Sequence, residues 1–155
     1  MQGALMVDIE GRGLTPEDRR LLLQPEVAGL IIFARNIAHP RQVRELCASV
    51  RALRPDLIIA VDQEGGRVQR LREGFVRLPS MRQIAQSDDA ERLAGHCGWL
   101  MATEVLASRA GICSFAPVLD RGSVGAVQST WSRVVLRVVT PQRVTQRGWG
   151  GSSVA

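Results

Sequence analysis

Four short runs in this chain are apolar at almost every residue, and they limit the fold more than anything else in it. They are Ala4–Ile9, Ala28–Ala34, Leu57–Val61 and Phe115–Leu119. A strand with one wet face alternates apolar and polar side chains, whereas these runs do not. Both faces must therefore be covered, which is the condition of parallel strands in an α/β protein. Helical segments lie between them. Thr15-Pro16-Glu17-Asp18 carries a capping hydroxyl, a proline for the first helical position and acids for the first turn, and Pro25 ends the segment. Pro40 opens a second helix in which Val43, Leu46, Cys47, Val50 and Leu53 recur at helical spacing, until Pro55. After a loop around Leu78-Pro79, Asp88 and Glu91 have the spacing of a capping box. The helix they start has Leu93, Cys97, Leu100, Met101 and Val105 on its apolar face. Trp99 is read as part of or next to that stripe, in the core. The order is β-α-β-α-β-α-β. In such folds ligands bind at the C-terminal ends of the strands. Asp8, Arg35-Asn36, the segment Asp62 to Arg70, and Asp120 follow the strands and are the residues to inspect.

Composition narrows the class. At 155 residues, 45% hydrophobic and 23% charged, the chain has the size and balance of one globular domain with a real core. The net charge of +5 is unevenly spread. Residues 1–120 hold all fifteen acids and fifteen arginines, so they are neutral. Residues 121–155 hold Arg121, Arg133, Arg137, Arg143 and Arg147 with no acid, and so contribute the whole excess. The basic residues are all arginine. A neutral domain with a basic tail argues against a nucleic-acid protein, although the tail's arginines with Trp131 and Trp149 could touch anionic polymers. No apolar run reaches the roughly 20 residues needed to span a bilayer, and the N-terminus lacks the basic start of a secretory signal. Cys47, Cys97 and Cys113 form neither a disulfide framework nor paired zinc ligands, and suit a reducing, cytoplasmic setting.

Asp62-Gln63-Glu64-Gly65-Gly66-Arg67-Val68-Gln69-Arg70 is the segment richest in chemistry. A carboxylate at a strand end can accept hydrogen bonds from two neighbouring sugar or ribose hydroxyls. Gly65-Gly66 permits backbone conformations closed to other residues and the close approach of a ligand. A helical turn here would put Arg67 and Arg70 on one side. The alternative is that Asp62, Glu64 and the arginines pair among themselves to fix the loop. Asp62 and Glu64 in one loop are poorly arranged to bracket a glycosidic bond, which a retaining enzyme needs its two carboxylates to do. His39 is read as a helix-start residue, His96 beside Cys97 is not a metal pair, and Arg12, Arg19 and Arg20 form a solvated face.

GLIIFARNI (29–37), IAVDQEGGRVQRL (59–71), FVRLPSM (75–81) and FAPVLD (115–120) together resemble the bacterial β-N-acetylhexosaminidases of glycoside hydrolase family 3, over roughly residues 1–106 and 114–120. The resemblance implies a (β/α)8 TIM-type barrel. It also implies an enzyme that removes terminal β-linked N-acetylglucosamine from muropeptides in peptidoglycan recycling, in the cytoplasm, with no metal or organic cofactor. It assigns sugar contacts to Asp62 and Arg70, and to Arg133 through the Ser132-Arg133 remnant of a G-S-R-[AS]-F segment.

That family's K-H-[FL]-P-G-H-G segment, with its acid/base loop, and its late-strand Asp nucleophile are not found in this sequence. Such a barrel takes about 250 residues. The expectation is therefore an incomplete barrel, about the first half, in residues 1–120, with an irregular basic tail in 121–155. The tail's Arg, Gly, Val, Ser and Trp resemble a GC-rich coding region read out of frame, so a truncated, catalytically inactive product is expected, with no catalytic residue assigned. The alternative is a non-catalytic half-barrel that binds sugar or nucleic acid.

Overall fold

A computed structural model describes residues 3–107 and 112–115, and Thr130. Four parallel strands form its sheet: β1 (Leu5–Val7), β2 (Val27–Ile32), β3 (Ile58–Gly65) and β5 (Ile112–Phe115), in the order β1-β2-β3-β5. A two-residue strand, β4 (Val68–Gln69), turns back antiparallel on the far end of β3. Helices α1 (Pro16–Leu22), α2 (Pro40–Leu53), α3 (Met81–Ala85) and α4 (Ala90–Ala107) occupy the connections. This is the expected α/β half-barrel.

Register sorts the strand residues into two faces, because partners paired across parallel strands point the same way. Leu30 pairs with Ile59 and Ile32 with Val61. All four are at most 1% exposed, in one cluster with Leu22 of α1, Val43, Leu46 and Val50 of α2, and Ala94, Met101 and Val105 of α4. That side carries the core. The other face runs through Gly29, Ile31, Ile58 and Ala60 and continues up β3 to Asp62 and Glu64.

The helix starts are built as their sequences require. At α1 the Thr15 hydroxyl accepts from the Asp18 amide (3.1 Å), and the Asp18 carboxylate accepts from the Thr15 amide (2.9 Å). At α2 the His39 ring accepts from the Gln42 amide (3.2 Å) with Pro40 next in the chain, so His39 is a capping residue. Val43, Leu46, Cys47 and Val50 are buried as their spacing requires, and burial pushes the Cys47 thiol up to about 11, against a smaller lowering by Arg51. Arg54, just past α2, donates to the carbonyls of Leu22 and Gln24 and pairs with Asp56 (2.8 Å), which ties the end of α1 to the start of β3.

The structure corrects the reading of α4 at two points. The Leu93 amide donates to the Asp89 carbonyl, so the helix begins on Asp89 rather than on Asp88, and Asp89 pairs with Arg92. Trp99 is 56% exposed instead of buried. At 100° per residue it stands about 200° from both Cys97 and Met101, the residues that fix the buried stripe. Three described elements went unforeseen: a 3-10 turn at Ala34–Asn36, β4 and α3. The last strand is found at Ile112–Phe115; of the run Phe115–Leu119 expected to form it, only Phe115 is among the described residues.

Candidate functional site

β3 does not stop at Val61, where its apolar run ends, but continues through Asp62-Gln63-Glu64 to Gly65. Alternation then separates the polar residues by role. Asp62 and Glu64 stand on one side, half-buried, while Gln63 between them is buried on the other at 1% exposure. The Gln63 carboxamide oxygen accepts from the amides of Arg70 and Leu71 (3.0 Å each), and its nitrogen donates to the Leu71 carbonyl (3.1 Å). A second buried amide, Gln69, donates to the carbonyls of Leu71 (3.1 Å) and Val76 (2.8 Å) and accepts from the Leu78 amide (3.0 Å). From α4, the Glu104 carboxylate accepts from the Val76 amide (3.0 Å). These three residues fix the path of 70–78. Sequence reading passed over them, although a polar amide opposite two acids on a strand is itself a signal of a buried partner network.

The turn of β3 into β4 brings Arg70 back beside Asp62, with Nη2 3.7 Å from Oδ2. Both side chains are mostly covered, at 30% and 26% exposure. The Arg70 Nε is fully enclosed and has no hydrogen-bond partner. No hydrogen bond reaches the Glu64 carboxylate from any described residue. Its pKa is pushed up, first by burial and then by the negative charge of Asp62, with Arg70 acting in the opposite direction. Two carboxylates and a guanidinium with unused hydrogen-bonding capacity therefore meet at the C-terminal end of β3. Such a group complements adjacent hydroxyls, which both donate and accept. Asp62 and Glu64 lie on one side of one strand and do not face each other across a gap, so they are not a couple that could bracket a glycosidic bond.

Two readings of this segment are corrected. Gly65 (φ 79°) and Gly66 (φ 55°) do adopt left-handed backbone, but the close approach they permit is made by the chain itself. A Cβ on Gly65 would sit 2.3 Å from the Pro79 carbonyl oxygen, and one on Gly66 would sit 2.7 Å from the Ser80 Cβ. The Gly66 amide donates to the Leu78 carbonyl (2.7 Å). Nor do Arg67 and Arg70 share a helical turn. β4 lies between them, and Arg67 is exposed while Arg70 points to Asp62. The internal-pairing alternative holds for Asp62 with Arg70 and not for Arg67.

The other strand-end residues form latches. Asp8 pairs with Arg35, whose guanidinium also lies 5.0 Å from the centre of the Phe33 ring. Buried Asn36 donates to the carbonyls of Ile9 (2.9 Å) and Gly11 (2.7 Å) and accepts from the Phe33 amide (2.8 Å), which joins the loops after β1 and β2. A cleft of about 200 Å³ lies between the β2–α2 loop at Ile37–Pro40 and the Arg70–Phe75 segment, with Arg70 in its wall. Among the described residues no three His, Cys, Asp or Glu side chains are grouped to hold a metal ion, and His96 is exposed. No helix among them is long and apolar enough to cross a membrane. Asp120 and Arg133 lie outside the described residues.

Comparison with known proteins accounts for this arrangement. Residues 4–134 match the glycosyl hydrolase family 3 N-terminal domain. A beta-hexosaminidase of Pseudomonas aeruginosa (strain LESB58) is 72% identical over 120 residues, covering 77% of this chain and 36% of that relative. One from Alkalilimnicola ehrlichii is 52% identical over 126 residues, again covering 36% of the relative. The native crystal structure of NagZ from Neisseria gonorrhoeae superposes with a TM-score of 0.76 at 38% identity, over 90% of this chain and 47% of that one. The same protein in complex with N-trifluoroacetyl-D-glucosamine gives 0.75 at 36% identity. The chain thus spans about a third of the length of the curated relatives and about half of the solved structures. With its half-barrel, its β3 segment and the family match over residues 4–134, the chain belongs to glycosyl hydrolase family 3, in that family's N-terminal domain.

Proposed function

We propose that this chain carries part of the sugar-binding face of a β-N-acetylhexosaminidase, built for a terminal β-linked N-acetylglucosamine such as muropeptides present, and performs no hydrolysis alone. The observation that supports this best is the Asp62–Arg70 pair, mostly covered, under-bonded and located at the C-terminal end of β3. In this reading Asp62 accepts from sugar hydroxyls and Arg70 donates to a sugar oxygen. Arg133, which falls inside the family-matched span 4–134, contributes a third contact. Residues 1–120 are the half-barrel, residues 121–155 a basic tail, and the setting is cytoplasmic. The nucleophile and acid/base segments found in family members have no counterpart in this sequence, so binding is expected without turnover.

Calorimetric titration with N-acetylglucosamine tests the binding half of the proposal. A heat of binding that Asp62→Ala abolishes is expected, and equal titrations of parent and variant would refute the assignment. A chromogenic N-acetyl-β-glucosaminide tests the other half: release of chromophore in proportion to the purified chain would overturn the proposed lack of turnover.

A further inference from the structure

Glu104 sits in the last turn of α4, where the carbonyl end of the helix dipole disfavours a negative charge. A helix on its own terms would not place an acid there. The carboxylate is instead turned onto a loop 28 positions earlier in the chain, where both its oxygens take the Val76 amide, at 3.0 and 3.3 Å. Val76 is exposed, and so are Arg72, Glu73, Gly74 and Arg77 around it. Core packing reaches this stretch only at half-buried Phe75, so hydrogen bonds decide where the rest of it lies.

Val76 is held at both of its backbone groups. Its amide goes to Glu104, and its carbonyl accepts from Gln69 Nε2 (2.8 Å). The same nitrogen donates to the Leu71 carbonyl (3.1 Å), which also accepts from Gln63 Nε2 (3.1 Å). Gln63 Oε1 in turn accepts from the Arg70 amide (3.0 Å). Both glutamines are buried at 1% exposure. An unbroken run of hydrogen bonds thus leads from α4 to the backbone of Arg70, through buried amides that cannot move without losing one of their partners.

We propose that Glu104 is a positioning residue for the sugar site, holding the Arg70 guanidinium beside Asp62 through Val76, Gln69 and Gln63. The proposal rests on the sugar-binding reading, in which Arg70 touches the ligand, and adds a residue that acts without touching it. Arg70 needs such help. Its Nη2 lies 3.7 Å from Asp62 Oδ2, beyond hydrogen-bond distance, and its enclosed Nε has no hydrogen-bond partner. The guanidinium is therefore aimed by the course of its own backbone, and α4 reaches that backbone through Glu104.

The experiment compares the full 155-residue chain with Glu104→Ala and Glu104→Gln by two readouts. One is hydrogen exchange at the Arg70 amide and Nε–H, followed by nuclear magnetic resonance without ligand. The other is calorimetric titration with N-acetylglucosamine. Alanine is a strong helix former and removes the adverse charge, so α4 itself is not weakened. Glu104→Ala is expected to speed exchange at both Arg70 groups at least threefold and to weaken sugar binding at least threefold. Glu104→Gln keeps an acceptor for Val76 and is expected to change both by less than threefold. If Glu104→Ala fails to fold, Glu104→Asp, whose carboxylate is one methylene short of Val76, replaces it under the same criteria. Faster exchange at Val76 with Arg70 exchange or sugar affinity unchanged overturns the proposal, because Glu104 then only fastens the loop. A Glu104→Gln variant as weak as Glu104→Ala overturns it as well. If the parent gives no heat with the sugar while Arg70 exchange still follows Glu104, the positioning stands and the sugar-binding reading fails.

Discussion

Replacing Gln63 with leucine removes a buried amide while nearly preserving side-chain volume, so its effect isolates hydrogen bonding from packing. In the parent the carboxamide oxygen accepts from two backbone amides, Arg70 and Leu71, at 3.0 Å each, and the nitrogen donates to the Leu71 carbonyl at 3.1 Å. Leucine serves none of them. The Leu71 carbonyl keeps its bond from Gln69, also 3.1 Å, so it is not stranded. Two backbone N–H groups are left without an acceptor, at about 1–3 kcal/mol each. Some rehydration at Arg70, which is partly exposed, moderates the total, giving a loss of about 2–5 kcal/mol. For a domain of this size that is a large share of a stability of about 5–15 kcal/mol. With a urea dependence of about 1–3 kcal/mol per molar, the unfolding midpoint falls by at least about 0.7 M. Urea unfolding followed by far-ultraviolet circular dichroism reads the global loss. Amide exchange at Arg70 and Leu71 reads the local one, and both amides are expected to lose protection. Gln63→Glu keeps two acceptor oxygens and is expected to lose less. If Gln63→Leu unfolds within about 0.5 kcal/mol of the parent while both amides stay protected, the amide does not hold the return of Arg70.

Three further outcomes follow from the same region and its surroundings. Gly65→Ala forces a Cβ to within 2.3 Å of the Pro79 carbonyl oxygen at a φ of 79°, and is expected to cost at least about 2 kcal/mol in the same urea assay. Because the pKa of Glu64 is raised in the folded chain, its protonation favours folding, a contribution fully present below the ordinary glutamate range and lost as pH rises through the raised value. Glu64→Gln should therefore melt higher than the parent at pH 7, with the difference fading as pH falls toward 4. A melting-temperature series across that range checks it, and a parent that melts higher at pH 7 would contradict it. Burial raises the Cys47 thiol to about 11, so iodoacetamide at pH 8 should spare Cys47 in the native chain and modify it in urea, as read by peptide mass mapping.

How far the sequence could be read depended on the kind of signal each residue carries. Unbroken apolar runs such as Gly29–Ile32 and Leu57–Val61 announce two-sided burial, and the parallel sheet follows from them. Thr15, Pro16, His39 and Pro40 act locally on the helix start beside them, so capping was legible from a few neighbours. Trp99 was not, because its size says core while its exposure is decided by helix phase, and that phase is set by Cys97 and Met101. At the site, the place of Asp62 to Arg70 after a strand marked the segment, and the family resemblance added the sugar-contact roles of Asp62 and Arg70. The reason they meet lies in Gln63 and Gln69, whose partners are backbone groups with no side-chain identity to recognise. For the same reason Gly65-Gly66 looked like room for a ligand when it is room for Pro79 and Ser80. A glycine shows that something comes close without showing what.

The turn from β3 into β4 has a consequence for the order in which the site can form. Asp62 and Arg70 are eight positions apart, and the segment braced against their turn ends at Ser80. Closing so short a loop costs little entropy and takes well under a microsecond, whereas pairing β3 with β5 must wait for a strand about fifty residues downstream. The carboxylate–guanidinium pair is therefore a local object. On a ribosome it could be assembled once residues 58–80 have emerged, ahead of any contact that joins distant parts of a barrel. Of the three residues that fix the return of Arg70, Gln63 and Gln69 lie within this segment and act at once, while Glu104 adds its bond to the Val76 amide only after α4 has formed.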